Sequence, residues 1–154
     1  MPDDLYDRDI LAWSQHQASL LRRVARGERV NEVDWEHVVE EIEDVGISQL
    51  NAVQSHLRLM LVHLLKVHCW PESPSVGHWR AEIVSFQAEA TQRFAPLMCQ
   101  RIDLERLYRS AREQISVATY DGREPLASPE TSPFTLDQLL NDLGHSLQAA
   151  LAAA

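Results

Sequence analysis

Residues 34–71 read DWEHVVEEIEDVGISQLNAVQSHLRLMLVHLLKVHCWP. The stretch opens acidic and closes apolar, and its second half decides the fold. Leu57, Leu59, Met60, Leu61, Val62, Leu64, Leu65 and Val67 leave almost no polar side between them, the pattern of a helix surrounded by other helices. This predicts a central helix over about 47–69. His56 and His63 fall on one face of it, in line with Met60 and Val67, so His63 is expected to be buried.

Working back from there, Asp34 is placed to cap a preceding helix, with Glu36 in its first turn and Val33 against Val38 as a hydrophobic staple. Trp35, Val38, Val39, Ile42 and Val45 form its apolar stripe. Glu40 and Asp44 lie roughly opposite, Glu36 and Glu43 on one flank and Glu41 on the other. Gly46 is expected to end or bend this helix before the central one begins.

Outside this stretch the period stays helical. Ile10, Trp13, Leu20, Leu21 and Val24 predict a helix from about Arg8 to Arg26, its basic last turn suited to the helix dipole and Gly27 closing it. Pro71 and Pro74 break the chain. A helix then follows from about Val76 or His78 to Phe94, with Trp79, Ile83, Phe86, Ala90 and Phe94 inward. Another runs from about Leu97 to Thr119, with Leu104, Leu107, Tyr108, Ala111, Ile115 and Ala118 inward and Arg106, Arg109 and Arg112 as a basic row. Residues 121–133, DGREPLASPETSP, read as a loop or linker. Thr135 then caps an amphipathic helix over about 135–152, striped by Leu136, Leu139, Leu140, Leu143, Leu147 and Leu151.

Neither a strand alternation nor an internal repeat is present. The expectation is an all-α protein, one domain over 1–154, folded as a single compact bundle of five to six helices with its core over about 5–120. A length of 154 residues suits one domain. The formal charge of -9 repels a phosphate backbone and disfavours nucleic acid. The N-terminus lacks the basic start and apolar core of a signal peptide, and no stretch is long enough to span a bilayer, so a cytoplasmic protein without membrane contact is expected. Cys69 and Cys99 stand in no metal-binding spacing and are expected to be reduced.

Several segments resemble a family of bacterial helical proteins, domain of unknown function 29. They are LYDRDILAWSQHQASLLRR near the start, VDWEHVVEEIEDVG, LRLMLVHLLKVHCWPE, GHWRAEI, LYRSAR, and SPFTLDQLLND near the end. The most specific are the D-W-x-x-x-x-E-E-I-E pattern of Asp34, Trp35, Glu40, Glu41, Ile42 and Glu43 and the H-L-L-K pattern of His63 to Lys66. The tryptophan usual after that lysine is Val67 here, and the tyrosine and glutamine before the proline are Cys69 and Trp70. The chain also continues beyond the usual end as a leucine- and alanine-rich segment. The resemblance implies a compact helical fold and no established activity.

Three constellations bear on chemistry. Glu40, Glu41 and Glu43 with His56 and His63 would suit a divalent metal such as zinc, iron or manganese if the two helices of the opening stretch packed together. The competing reading makes His63 a core histidine bonded to one of those carboxylates or to Tyr108. Arg106, Arg109 and Arg112 either hold the same carboxylates in two-pronged bonds or, with Lys66, line an anion-binding groove. Cys69 and Cys99 have no orienting partner and read as small apolar side chains rather than nucleophiles.

No complete catalytic motif and no cofactor fingerprint is present. The expectation is therefore a non-catalytic helical module that self-associates or binds another protein, its partner unidentified, with no cofactor. The alternative is a metal-binding protein or metal-dependent hydrolase. The last helix either folds back on its own bundle or reaches another chain.

Overall fold

The computed structural model describes residues 2–142 and 144, with side chains from residue 5 onward. Among the described residues are α1 (Pro2–Arg8), α2 (Ile10–Ala25), α3 (Trp35–Cys69), α4 (Val76–Arg93), a 3₁₀ helix (Pro96–Gln100), α5 (Leu104–Ser116) and α6 (Leu136–Asn141), with no strand. The chain divides into two compact units, residues 1–47 and 48–154, and α3 contributes to both.

The expected pair of helices over 34–69 is one helix. Gly46 neither ends it nor adopts a positive φ. A glycine costs a helix only about 1 kcal/mol relative to alanine, and Ile47, Ser48 and Gln49 supply neither a proline nor a C-cap that would turn this cost into a stop.

In the first unit, α2 begins two residues later than its period suggested because Asp9 caps it, accepting from the Ala12 N–H at 2.9 Å. Gly27, at φ +83°, takes the left-handed turn after the last residues of α2, where a side chain would be strained. Asp34 caps α3 as expected: its Oδ1 accepts from the His37 N–H at 3.4 Å and its carbonyl from the Val38 N–H at 3.0 Å. The core of this unit is small. Trp13, Leu20, Val33 and Val38 are buried, with Leu5, Tyr6, Leu21, Val24 and Val30 packed around them. Val38 is the one member of the predicted stripe that enters this core.

In the second unit, Val53, Leu57, Met60, Leu61 and Leu64 of α3 are fully buried. They form one cluster with Trp79, Ile83 and Ala90 of α4 and Leu107, Tyr108, Ala111 and Ile115 of α5. The helix predicted over 97–119 is split, because Asp103 caps α5 by accepting from the Arg106 N–H at 3.1 Å. The segment after α5 is tied down along its length. Asp121 and Gly122, at φ 54° and 70°, make a tight turn between Tyr120 and Arg123. Leu126 N–H then donates to the Cys69 carbonyl at 3.1 Å, the Trp70 indole to the Arg123 carbonyl at 3.0 Å, and the Tyr108 hydroxyl to the Pro129 carbonyl at 2.7 Å.

α6 starts with the predicted cap. Thr135 Oγ1 accepts from the Gln138 N–H at 3.2 Å, and Gln138 Oε1 from the Thr135 N–H at 2.9 Å. Leu139 and Leu140 are buried, and their carbonyls accept from Gln87 and Thr91 of α4 at 2.9 and 3.3 Å. The described part of the last predicted helix thus folds onto its own bundle; the remainder, with Leu143, Leu147 and Leu151, lies outside the described residues.

Candidate functional site

The first turns of α3 carry a polar network on one side and an apolar face on the other. On the inner side, Gln17, 3% exposed, accepts from the Asp34 N–H at 2.9 Å. Asp34 Oδ2 accepts from the Trp13 indole at 3.0 Å and from His37 Nδ1 at 2.7 Å, which assigns the His37 proton to Nδ1. Tyr6 stacks on His37 at 3.9 Å and 19° and donates to Glu41 Oε1 at 2.6 Å. That hydrogen bond, with burial and the surrounding acids, pushes the Tyr6 hydroxyl up to about 12. The bond to Asp34 raises His37 above the ordinary imidazole range. Burial works against charge on Asp34, yet the bonds from His37 and Trp13 outweigh it and hold the carboxyl low. The network orients the entry into α3, and each polar atom in it that carries a bond carries it within the first unit.

The outer face departs from expectation. Trp35 is 55% exposed, Val39 52%, Ile42 68% and Val45 66%, although their spacing is that of a core stripe. Trp35, Val39 and Ile42 share an arc of about 60° at roughly 100° per residue. The amphipathic rule identified an apolar face, but the inward direction in this unit belongs to Val38, Asp34, His37 and Glu41, about a third of a turn away.

The metal constellation does not assemble. Glu40, Glu41 and Glu43 belong to the first unit and His56 and His63 to the second, all on one continuous helix where two packed helices were expected. His56 Nδ1 and His63 Nδ1 each bond the carbonyl four residues earlier, Ala52 and Leu59, at 2.7 and 2.8 Å. His63 is half-buried, not buried, with its ring 5.1 Å from that of Phe86. Among the described residues, neither a carboxylate of the acidic run nor Tyr108 is its hydrogen-bond partner. Glu40 and Glu43 are exposed, and among the described residues no three His, Cys, Asp or Glu side chains converge to hold a metal ion.

The basic residues are dispersed too. Lys66 Nζ sits over the rings of Trp79 and Tyr120, 5.8 and 5.3 Å from their centroids, and Trp70 meets both rings edge-on. Arg109 and Arg112 line a cleft of about 620 Å³ with Ser116 and Ser128, and Lys66 is not among its walls. Arg112 donates to Ser128 Oγ at 3.2 Å, and among the described residues Arg106, Arg109 and Arg112 form no ion pair. Burial pushes the Cys69 thiol up to about 11, leaving it protonated and poorly nucleophilic, while Cys99 is exposed. Sequence reasoning missed Tyr6, Trp13, Gln17 and His37 as a network. The one signal for it was Asp34 at the cap.

Residues 5–143 match the family described as domain of unknown function DUF29. The chain belongs to that family. A crystallised α-helical protein of unknown function from Rhodospirillum rubrum is 30% identical to this DUF29 chain, over 93% of this chain and 95% of that one, with a TM-score of 0.65. No curated protein matches it. In the DUF29 chain the most specific residues of the resemblance divide by face: Asp34 and Glu41 enter the polar network, while Trp35, Glu40, Ile42 and Glu43 are exposed. No helix among the described residues is long and apolar enough to cross a membrane.

The shifted groups predict a pH profile of stability. His37 is raised, so its stabilising contribution is full below its ordinary 6.5 and is lost as pH rises through its folded value. His63 is lowered by burial, so its contribution is intact above 6.5 and is lost as pH falls through its folded value. Asp34 adds a further loss at pH below 3.8. Urea midpoints followed across the neutral range are expected to lose their alkaline-side decline in His37→Gln and their mildly acidic decline in His63→Gln. A His37→Gln protein with the wild-type alkaline slope would contradict this assignment.

Proposed function

We propose that this protein is a non-catalytic interaction module that receives another protein on the outer face of the first turns of α3. The observation that carries the reading is the exposure of Trp35, Val39 and Ile42, at 55%, 52% and 68%, on one side of a helix whose other side is already packed. Scattered apolar side chains on a surface need no explanation, whereas an aligned apolar row marks a contact surface. A tryptophan at one end adds the residue type most often found at the energetic centre of interfaces. The same reading puts the protein in the cytoplasm, which the two free cysteines, Cys69 and Cys99, support.

A photo-crosslinking residue tests this in full-length protein expressed in its source cells. Placed at Ile42, it is expected to trap a discrete protein, and the adduct should disappear with Trp35→Ala. At Leu97, equally exposed at 68% but on the 3₁₀ helix, it should trap none. Equal trapping at both positions, or trapping indifferent to Trp35→Ala, would overturn the proposal. An adduct of twice the chain's own mass would assign the face to self-association.

A further inference from the structure

Resting on that reading, we infer that the occupant of this face is a basic amphipathic helix of another protein, with one apolar stripe flanked by lysine or arginine. Glu36, Glu40 and Glu43 follow each other at steps of four and three residues, so they make a row along one side of the open Trp35, Val39 and Ile42 face; Glu36 and Glu43 flank it at about a quarter turn from its centre, and Glu40 lies farther round, at roughly a third of a turn. All three are exposed, and among the described residues none of them forms an ion pair. A helix laid along the stripe brings its own flank over this row. Cations at matching steps would face the carboxylates there, raising the association rate and fixing register and orientation. Gly46 continues the stripe at its end, with open space where a Cβ would stand, so a partner backbone can come close at that point.

Charge decides between this occupant and the two that the chain itself offers. In a symmetric antiparallel pair of α3 helices, each flank meets its own copy, and the glutamate row would face itself. In a parallel pair the row would face the Val45 and Gln49 edge, which has no cation. The segment after Asp142, LGHSLQAALAAA, is apolar enough to cover the stripe but contains neither lysine nor arginine. Only a partner with positive flanks satisfies both the apolar row and the acidic one.

The test uses the full chain and a fluorescent helical peptide of about five turns, with leucines on one face and lysines on both flanks. Its twin has every lysine replaced by glutamate. The basic peptide is expected to bind, with affinity falling as salt rises, and the acidic twin is expected not to bind. The triple variant Glu36→Gln, Glu40→Gln, Glu43→Gln should weaken the basic peptide roughly tenfold and flatten the salt dependence, the effect of losing about three part-exposed ion pairs. The double variant Val39→Gln, Ile42→Gln should abolish binding, with unchanged circular dichroism and melting confirming that each variant is folded.

Equal binding of both peptides, or a triple variant that binds the basic peptide like wild type, would overturn the basic partner while the double variant's loss still upheld the docking face. Undiminished binding by the double variant, or no binding of either peptide, would overturn the docking face and the partner together. A wild-type dimer that the double variant dissolves would assign the face to a second copy. Binding of both peptides gained only when the chain is ended at Asp142 would assign it to the chain's own C-terminal segment. Either result overturns the inference.

Discussion

Leu57→Ala is expected to cost about 2 to 5 kcal/mol of stability, whereas Ile42→Ala on the same helix changes it by no more than about 0.5 kcal/mol. Leu57 is 0% exposed and packed in the cluster built from α3, α4 and α5, so truncation removes buried apolar area and leaves a cavity. Ile42 is 68% exposed; its truncation gives up little burial, and alanine slightly favours the helix. Urea unfolding followed by far-ultraviolet circular dichroism and tryptophan fluorescence measures both. Comparable losses for the two variants would mean that the Ile42 face is covered within the chain, and the interaction surface proposed above would go with it.

The second large effect is expected at Asp34. Asp34→Ala removes the N-cap of α3, worth roughly 0.5 to 2 kcal/mol, and takes away the acceptor shared by the Trp13 indole and His37. Trp13 is only 4% exposed, and stranding its N–H adds about 1 to 3 kcal/mol, for a total of about 1.5 to 5 kcal/mol. Asp34→Asn keeps a capping oxygen and an acceptor while losing the charge, so it should retain most of that stability and lose the dependence on His37 protonation. Thermal melts of the two variants at neutral pH provide the measurement. An Asp34→Ala protein as stable as wild type would show that the network does not hold α3 in place.

Much of the fold was legible because local rules act over one or two turns. The apolar run from Leu57 to Val67, the cap of Asp34 and the paired cap of Thr135 and Gln138 each depend on neighbours within a few residues, and the structure has all of them. The break expected at Gly46 failed for a quantitative reason: one glycine is too small a penalty to stop a helix that nothing else opposes. The metal reading depended on that break, because only two separate helices could have folded the glutamates back onto His56 and His63. The helix runs through Gly46 without that break. The arginine row lies beside the buried face of α5, and its partners depended on where residues 121–133 settled, which no local rule specifies.

Taken alone, the sequence determines that this chain is all-helical, where α3, α4 and α6 start, and that the second half of α3 belongs in a core. It also determines that Trp35, Val39 and Ile42 share a face with Glu36 and Glu43 on one flank. Only the tertiary structure decides that this face is open. Helical periodicity establishes that an apolar side exists, whereas its burial requires another element to lie against it, and such contacts are made by residues distant in sequence. In the first unit the inward direction went to Val38 and the Asp34 network, because capping α3 against Trp13 and stacking His37 on Tyr6 set the rotation of the helix. The rotation that satisfies those polar groups is the one that leaves the tryptophan stripe facing solvent.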